Sequence, residues 1–517
     1  MADPARGPDP TAVREVERKF MVPAGFALPD LDGAAPAPPR VTRLTATYYD
    51  TADLRLARDG VTLRRRTGGD DAGWHLKLPV LGGPTGARDE LALPLSAGRP
   101  AAPPRPLREL VTAFAREAPL VPVATLVTER RTVPLRDPGG RLLAEVVDDT
   151  VSVVDGDHEA ARFREVEVED RGGGPAVLDA VARQLLAAGA VGGEFLAKAA
   201  RALGPAATAP PDVPAPDPVR PGDPARDAVR AHLRAQVRAL QQQDPRVRRD
   251  LPDAVHQMRV AARRLRSTLK AFRPLLDAGP VDRLRAELAW LAGELGAARD
   301  REVLLARLQR DLDRLAAAAP DDPGPPAAAR VVRRELAADL ASGRDQARAA
   351  LRSPRYVALL GALVAACADP PTGPGAAQPA ARALPPLVAA EWRRLARRVA
   401  DLDLQGPDEP WHEARIAAKR ARYAAEACVP VFGAPARRLA RRLSQVTELL
   451  GEHQDAAVAS QAVTELAATP RLGGRAGFAL GLLHGAQRAA AARARADLLA
   501  LWPEVSRRRW RRWLDGG

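Results

Sequence analysis

The chain has 517 residues, enough for two to four domains each with its own core, and its two cysteines, Cys367 and Cys428, argue against a disulfide framework. No uninterrupted apolar run reaches about 18 residues and the first seven residues lack the apolar core of a signal peptide. Neither a transmembrane helix nor a secretory leader is therefore expected, and the expected compartment is the cytoplasm. The net charge of +14 is unevenly divided, −3 over residues 1–200 and +17 over the rest. Arginine in bulk also serves solubility, so the placement of charge must decide whether an anion is bound.

The first informative run is Glu15-Val16-Glu17-Arg18-Lys19-Phe20. On a strand, Glu15, Glu17 and Lys19 project from one face with successive members about 6 to 7 Å apart. Thr42 to Asp50 has strand character, Asp53 to Asp59 reads as a turn or short helix, and Val61 to Arg66 puts Arg64 and Arg66 on one face. Gly68-Gly69-Asp70-Asp71 is a hairpin signal leading into Trp74-His75-Leu76-Lys77-Leu78, where His75 and Lys77 share a face. After a turn from Gly82 through Pro84 to Asp89 comes a strand from Glu90 to Leu95, then a helix over Leu107 to Ala115. Leu120 to Leu135 and Arg141 to Asp148 read as a hairpin. Val151 to Val154 and Ala161 to Asp170 form a further pair, the latter containing Glu165, Glu167 and Glu169 at a period of two. Alternating strands usually turn their polar side to water. Several runs of paired carboxylates and cations are instead what an enclosed site needs to hold a divalent ion together with a polyanion.

Glu15-x-Glu17-x-Lys19, with Tyr48-Tyr49-Asp50-Thr51-x-Asp53-Leu54-x-Leu56, Leu63-Arg64-x-Arg66 and Lys77, resembles the CYTH or triphosphate tunnel metalloenzyme family over roughly the first 200 residues. The resemblance implies hydrolysis of inorganic triphosphate, thiamine triphosphate or RNA 5′-triphosphates, or cyclisation of ATP, inside a tunnel of antiparallel strands. About eight alternating strands agree with a closed antiparallel β-barrel. Within it Glu15, Glu17, Glu165 and Glu167 are the expected carboxylates for Mg²⁺ or Mn²⁺, with Glu145 and Asp149 as further candidates by strand parity. Lys19, Arg64, Arg66, Lys77 and Arg130 are the expected phosphate clamp. Arg131 has the opposite parity, and a one-residue slip would exchange it with Arg130. Lys198, in Gly193-Glu194-Phe195-Leu196-Ala197-Lys198, resembles the family's late lysine, or is a surface helical lysine. His75 contacts phosphate or is structural.

Leu178 to Ala187 reads as a helix closing the first domain. The run after Leu203 is rich in Pro and Ala and reads as a stiff extended linker. The expected organisation is thus a multidomain α+β chain: the barrel over 1–204, a linker over 205–224 and an all-helical domain over 225–517. The last contains a duplication. His256-Gln-Met-Arg259-Val260-Ala-Ala-Arg263-Arg264-Leu-Arg266 recurs as His412-Glu-Ala-Arg415-Ile416-Ala-Ala-Lys419-Arg420-Ala-Arg422, and Leu295-Gly296 to Asp300 recurs as Leu450-Gly451 to Asp455 at nearly the same offset. The repeats are expected at about 225–365 and 380–510. At about 100° per residue, His256, Arg259, Arg263, Arg266 and Lys270 share one face of a helix, with Leu265, Leu269 and Phe272 opposite. His412, Arg415, Lys419 and Arg422 repeat the stripe. Like charges at these spacings weaken a helix, so a stripe carried twice points to a bound counter-charge.

This doubled motif resembles the CHAD domain, a pseudo-twofold helical module. The resemblance implies binding of inorganic polyphosphate, and with it association with polyphosphate granules. Asp300 and Asp455 are expected to orient basic side chains or cap helices rather than bind metal. A basic helical surface can equally follow a nucleic-acid backbone. The alternative is therefore a thiamine triphosphatase or adenylate cyclase whose helical domain binds nucleic acid, although the first stripe lacks aromatics for base stacking. A purely structural helical scaffold, its stripes paired with protein acids, is the third possibility.

Overall fold

The computed structural model describes residues 10–32, 40–83, 86–156, 158–192, 197–469 and 472–515. The Ala34 to Pro39 loop, Pro84 in its turn, Asp157, and Gly193 to Leu196 of the late-lysine motif lie outside the described residues. Two compact units divide the chain, Met1–Asp212 and Val213–Gly517. The run expected as linker is shared between them. A short 3-10 helix, Gly204–Thr208, ends in the first unit, and Val213 and Val219 are buried in the second.

The first unit is an antiparallel sheet of ten strands: β1 Thr11–Glu15, β2 Glu17–Met21, β3 Arg40–Asp50, β4 Thr62–Thr67, β5 Gly73–Pro79, β6 Arg88–Leu93, β7 Val121–Arg136, β8 Leu142–Asp155, β9 His158–Asp170 and β10 Val191–Gly192. Their order is β1-β6-β5-β4-β3-β7-β8-β9-β2-β10. The expected closed barrel is not formed. Among the described residues the order is linear, and no ladder joins its ends, β1 and β10. Among these residues β10 ladders with Met21 and Phe20 and β1 with β6, so neither end of the order has a further strand to close on. The opening strand is itself cut at Val16, its two arms laddering with β6 and with β9. The two strands expected over Arg141 to Val154 are one, because no turn residue interrupts β8.

Strand alternation sorts the side chains into an apolar outer face and a charged inner one. Helix α1, Arg55–Arg58, follows β3, where Asp50 accepts from the backbone N–H groups of Thr51, Leu56 and Ala57 at 2.7 to 2.9 Å. The Tyr-Tyr-Asp-Thr motif thus builds a turn. Helices α2, Arg105–Leu110, and α3, Thr112–Ala115, cover Leu63, Trp74, Leu76 and Leu91 with Leu107, Leu110 and Phe114. Helix α4, Gly174–Ala187, lays Leu178, Val181 and Leu185 on Phe20, Val146, Val166 and Val168. Each such buried side chain contributes roughly 1.5–3 kcal/mol. Helix α5, Lys198–Leu203, completes the unit. Because helices cover the outer face, the charged face turns inward, and its groups must pair with one another or with a ligand.

The second unit is all helical: α6 Ala225–Arg248, α7 Ala254–Ala271, α8 Ala278–Glu294, α9 Gly296–Ala318, α10 Gly324–Arg352, α11 Pro354–Ala368, α12 Ala380–Ala400, α13 Asp408–Ala427, α14 Val429–Phe432, α15 Ala434–Ala467 and α16 Gly474–Val505. No single described helix is long and apolar enough to cross a membrane. The duplication is visible in hydrogen bonds that exchange equivalent residues: Ala225 N–H donates to Gln378 O, and Ala380 N–H to Asp223 O, both at 2.8 Å. This reciprocity is that of a twofold axis. The halves differ at Leu295-Gly296, where α8 and α9 separate, whereas α15 runs unbroken through Leu450-Gly451. Leu265, Leu269 and Phe272 are buried, opposite the basic stripe.

Candidate active site and anion groove

The cut at Val16 lets one extended segment serve two walls. β1 brings Glu15 beside β6, and β2 brings Glu17 and Lys19 beside β9. The inner face of the first unit encloses a cavity of about 290 Å³. Glu15, Glu17, Lys19, Arg64, Arg66, Lys77, Arg130, Glu167 and Lys198 all line it. Arg131 points away, exposed and 3.8 Å from Glu129.

All six carboxylates expected to bind metal have a side-chain cation within reach: Lys77 Nζ lies 2.5 Å from Glu15 and Lys19 Nζ 3.3 Å from Glu17, and the other four are held by lysine or arginine. Lys198 Nζ lies 3.0 Å from Asp149, 2.8 Å from Glu165 and 2.6 Å from Glu167. Arg130 donates to both oxygens of Asp149, at 2.9 and 2.8 Å, Arg201 lies 2.8 Å from Glu165, and Lys19 pairs with Glu167. Glu145 accepts from Arg171 at 2.6 Å. Asp149, Glu165 and Glu145 are not in the cavity lining. Burial works against the charge of Glu167, yet Lys19, Lys198 and Arg130 outweigh it and hold the carboxyl well below its ordinary pKa. The same balance, burial opposed by Glu165, Glu167 and Asp149, raises the Lys198 amine.

The carboxylates that do converge are Glu15, Glu17 and Glu169, whose ligand oxygens all lie within 4.8 Å of one another. Glu169 was not among the expected site residues. Its parity in the Glu165-Glu167-Glu169 run placed it on the right face, but only the register pairs it with Glu17. Burial, and then the charge of Glu167, raise its pKa, with Arg130 and Arg171 opposing and Glu15 adding. Three carboxylates this close repel, and a hard divalent ion with oxygen ligands offsets that repulsion. The residues present therefore fit Mg²⁺ or Mn²⁺. Lys77 donates to Glu15 at 2.5 Å and Arg171 to Glu169 at 2.5 Å, at the flanks of this trio.

The opposite pressure acts on the cationic wall. Burial, followed by the charges of Arg64 and Arg130, pushes the Arg66 guanidinium down to about 9. The Nε atoms of Arg64 and Arg66 are buried without a hydrogen-bond partner. Arg66 pairs with Asp71, and Arg64 lies 3.5 Å from Glu90. His75 has Nδ1 2.9 Å from Glu90 and Nε2 2.9 Å from the Asp71 carbonyl, so both ring nitrogens are engaged with the protein. Tyr48, which opens the Tyr-Tyr-Asp-Thr motif, also lines the cavity, as do Arg88, Glu90 and Arg171, which were not among the expected site residues. No motif in the sequence marks the last three.

In the second unit a groove of about 1160 Å³ runs along α7 and α13. His256, Arg259, Arg263, Arg266 and Lys270 line it from the first repeat, and His412, Arg415 and Lys419 from the second. Arg422 does not. It donates to Thr447 Oγ1 at 2.8 Å and lies 3.1 Å from Glu426, and Arg420 takes a place in the lining instead. Arg285 and Arg307 add cations from α8 and α9 outside the repeated motifs, and Arg299 adds one from inside the Leu295 to Asp300 block. Asp300 accepts from Arg259 at 2.8 Å. Burial, with neighbouring guanidinium groups, lowers His256, Arg266, Lys270, Arg415, Lys419 and Arg420 from their ordinary values. Like charges are thus held together without enough protein acids to balance them.

A CYTH domain model matches residues 13–202 and a CHAD domain model residues 231–464. An uncharacterised protein of Mycobacterium tuberculosis is 36% identical over 96% of this chain and 97% of its own. PptA from Streptomyces chartreusis covers 54% of this chain and 100% of its own, at 30% identity and a TM-score of 0.48. A CHAD domain from the plant Ricinus communis covers 56% and 94%, at 30% identity and a TM-score of 0.46. The chain belongs to the family that joins a CYTH domain to a CHAD domain. CYTH domains are metalloenzymes, triphosphatases or cyclases, that act on triphosphate substrates.

Proposed function

We propose that the first unit is a metal-dependent triphosphatase acting on inorganic triphosphate or short polyphosphate, and that the second binds long-chain inorganic polyphosphate. The observation that carries the reading is geometric: Glu15, Glu17 and Glu169 converge within 4.8 Å in one cavity that Arg64, Arg66 and Arg130 also line. Lys77, Lys19 and Arg171 only partly offset the carboxylates, and Asp71 and Glu90 the guanidinium groups; a metal triphosphate would supply the remaining cation and anion. Glu15, Glu17 and Glu169 would hold Mg²⁺ or Mn²⁺, which supplies charge neutralisation and orientation of phosphate oxygens. Arg64, Arg66, Arg130 and Lys77 grip the phosphates and stabilise charge that develops on the transferred group. Phosphoryl transfer asks little covalent chemistry of the protein beyond positioning and electrostatics. Lys198 and Lys19 hold Glu165, Glu167 and Asp149 in place beneath that clamp. Polyphosphate bound in the groove would also bring the chain to polyphosphate granules.

The full chain with inorganic triphosphate is expected to release phosphate when Mg²⁺ or Mn²⁺ is added and to stop on chelation. Colorimetric phosphate release checks this. Formation of a cyclic nucleotide from ATP, with no release from triphosphate, would instead assign the cyclase reaction.

A further inference from the structure

Of the 78 basic residues in the chain only five are lysine: Lys19, Lys77, Lys198, Lys270 and Lys419. The two cavities are lined by nineteen of the 78, and all five lysines are among them. Gripping phosphate does not call for this, since a guanidinium does so with a bidentate fork. An amine adds what a guanidinium lacks, a proton it can lose and a nucleophilic lone pair. In the first cavity the lysines are occupied with carboxylates, Lys77 with Glu15 and Lys19 and Lys198 with Glu167.

Lys419 differs. Among the described residues it forms no ion pair, and it stands where the first repeat carries Arg263. Burial first, then Arg415 on its own helix and Arg263 on α7, push its amine down to about 6; Asp455 on α15 acts the other way, and Arg422 adds to the lowering. The half-buried side chain thus shares the groove lining with Arg263, Arg415 and Arg420, guanidinium groups suited to a phosphate, and their charges favour its neutral amine.

We propose that Lys419 is a covalent modification site for small acyl phosphates, whose phosphate docks on the guanidinium groups of the groove while the lysine amine takes the acyl group. The inference rests on the groove being a phosphate site. Lys419 Nζ attacks the carbonyl carbon, a C–N bond forms as the C–O bond to phosphate breaks, and phosphate leaves with the bonding electrons among Arg263, Arg415 and Arg420. The amine's extra proton passes to the departing phosphate. No oxidant or further reactant is needed. The amide can no longer gain a proton when a polyanion arrives, so the modified groove holds polyphosphate more weakly.

The test treats the full chain with acetyl phosphate near neutral pH and follows each lysine by peptide mass spectrometry, alongside calorimetric titration of the same preparation with polyphosphate. Lys419 is expected to be acetylated at least about tenfold faster than Lys270, its partner in the groove. That preference is expected to shrink when acetic anhydride, which carries no phosphate, replaces acetyl phosphate. Polyphosphate binding without preferential acetylation of Lys419 overturns this proposal alone. An equal preference with both reagents also overturns it, as it marks only a reactive amine. Failure of both binding and acetylation overturns the phosphate reading of the groove as well.

Discussion

Replacing Glu169 by Gln is expected to lower metal-dependent phosphate release by at least about a hundredfold and to raise the Mg²⁺ concentration needed for half-maximal rate by at least about tenfold. The substitution keeps the size of the side chain and removes one of three converging negative charges. It also leaves the ladder partner Glu17 without the neighbour that completes the cluster. Glu145→Gln is expected to change the rate by less than about threefold, because Glu145 lies outside the cavity lining and is held by Arg171. Substituting Glu15 and Glu17 together by Gln is expected to abolish turnover. Phosphate release against Mg²⁺ for the variants, with circular dichroism to check the fold, makes the comparison. Equal losses at 145 and 169 would mean that the converging trio is not the metal site.

The second large effect is expected in the groove. Arg259→Glu, Arg263→Glu, Arg415→Glu and Lys419→Glu together exchange four groups of the lining for their opposites without touching the apolar side of α7 or α13. Polyphosphate affinity is expected to fall by at least about a thousandfold, and binding by the wild type to weaken steeply as salt rises, as for other polyanion contacts. A single pair sharpens the assignment. Arg420→Gln, in the groove lining, is expected to weaken binding by about tenfold. Arg422→Gln is expected to leave it within about twofold, since that side chain is spent on Thr447 and Glu426. Calorimetric titration with size-defined polyphosphate is the measurement, repeated with single-stranded RNA. Preferential RNA binding would support the nucleic-acid reading, and an unaltered quadruple variant would remove the groove from consideration.

The Arg420 and Arg422 pair shows how far helical periodicity reaches. The repeat aligns Arg422 with Arg266 and Arg420 with Arg264. Yet Arg264 lies 3.1 Å from Glu426 and Arg266 lines the groove, while in the second repeat the roles are exchanged. Glu426, on α13, has no counterpart on α7, where Lys270 stands at the equivalent position, and it draws both Arg264 and Arg422 to one side. Periodicity predicts which face a residue occupies. It does not predict which acid on a neighbouring helix will claim it.

Several things were determined by the sequence by itself: membership of the family, the two-domain layout, the duplication in the helical unit, and the faces on which the charged residues stand. These follow from local rules, a period of two along strands and about 3.6 along helices, together with motifs that keep their order. Tertiary structure alone decided the rest. Strand register paired Glu17 with Glu169 and gave Glu165, Glu167 and Asp149 to Lys198, Lys19 and Arg130, a choice among carboxylates of equal parity. Among the described residues no ladder joins the ends of the sheet, and closure would require pairing between strands distant in sequence, which no local pattern encodes. Ion pairing depends on distances of a few ångströms between residues far apart in the chain, 148 positions for Lys19 and Glu167, and no pattern confined to one element encodes such a distance.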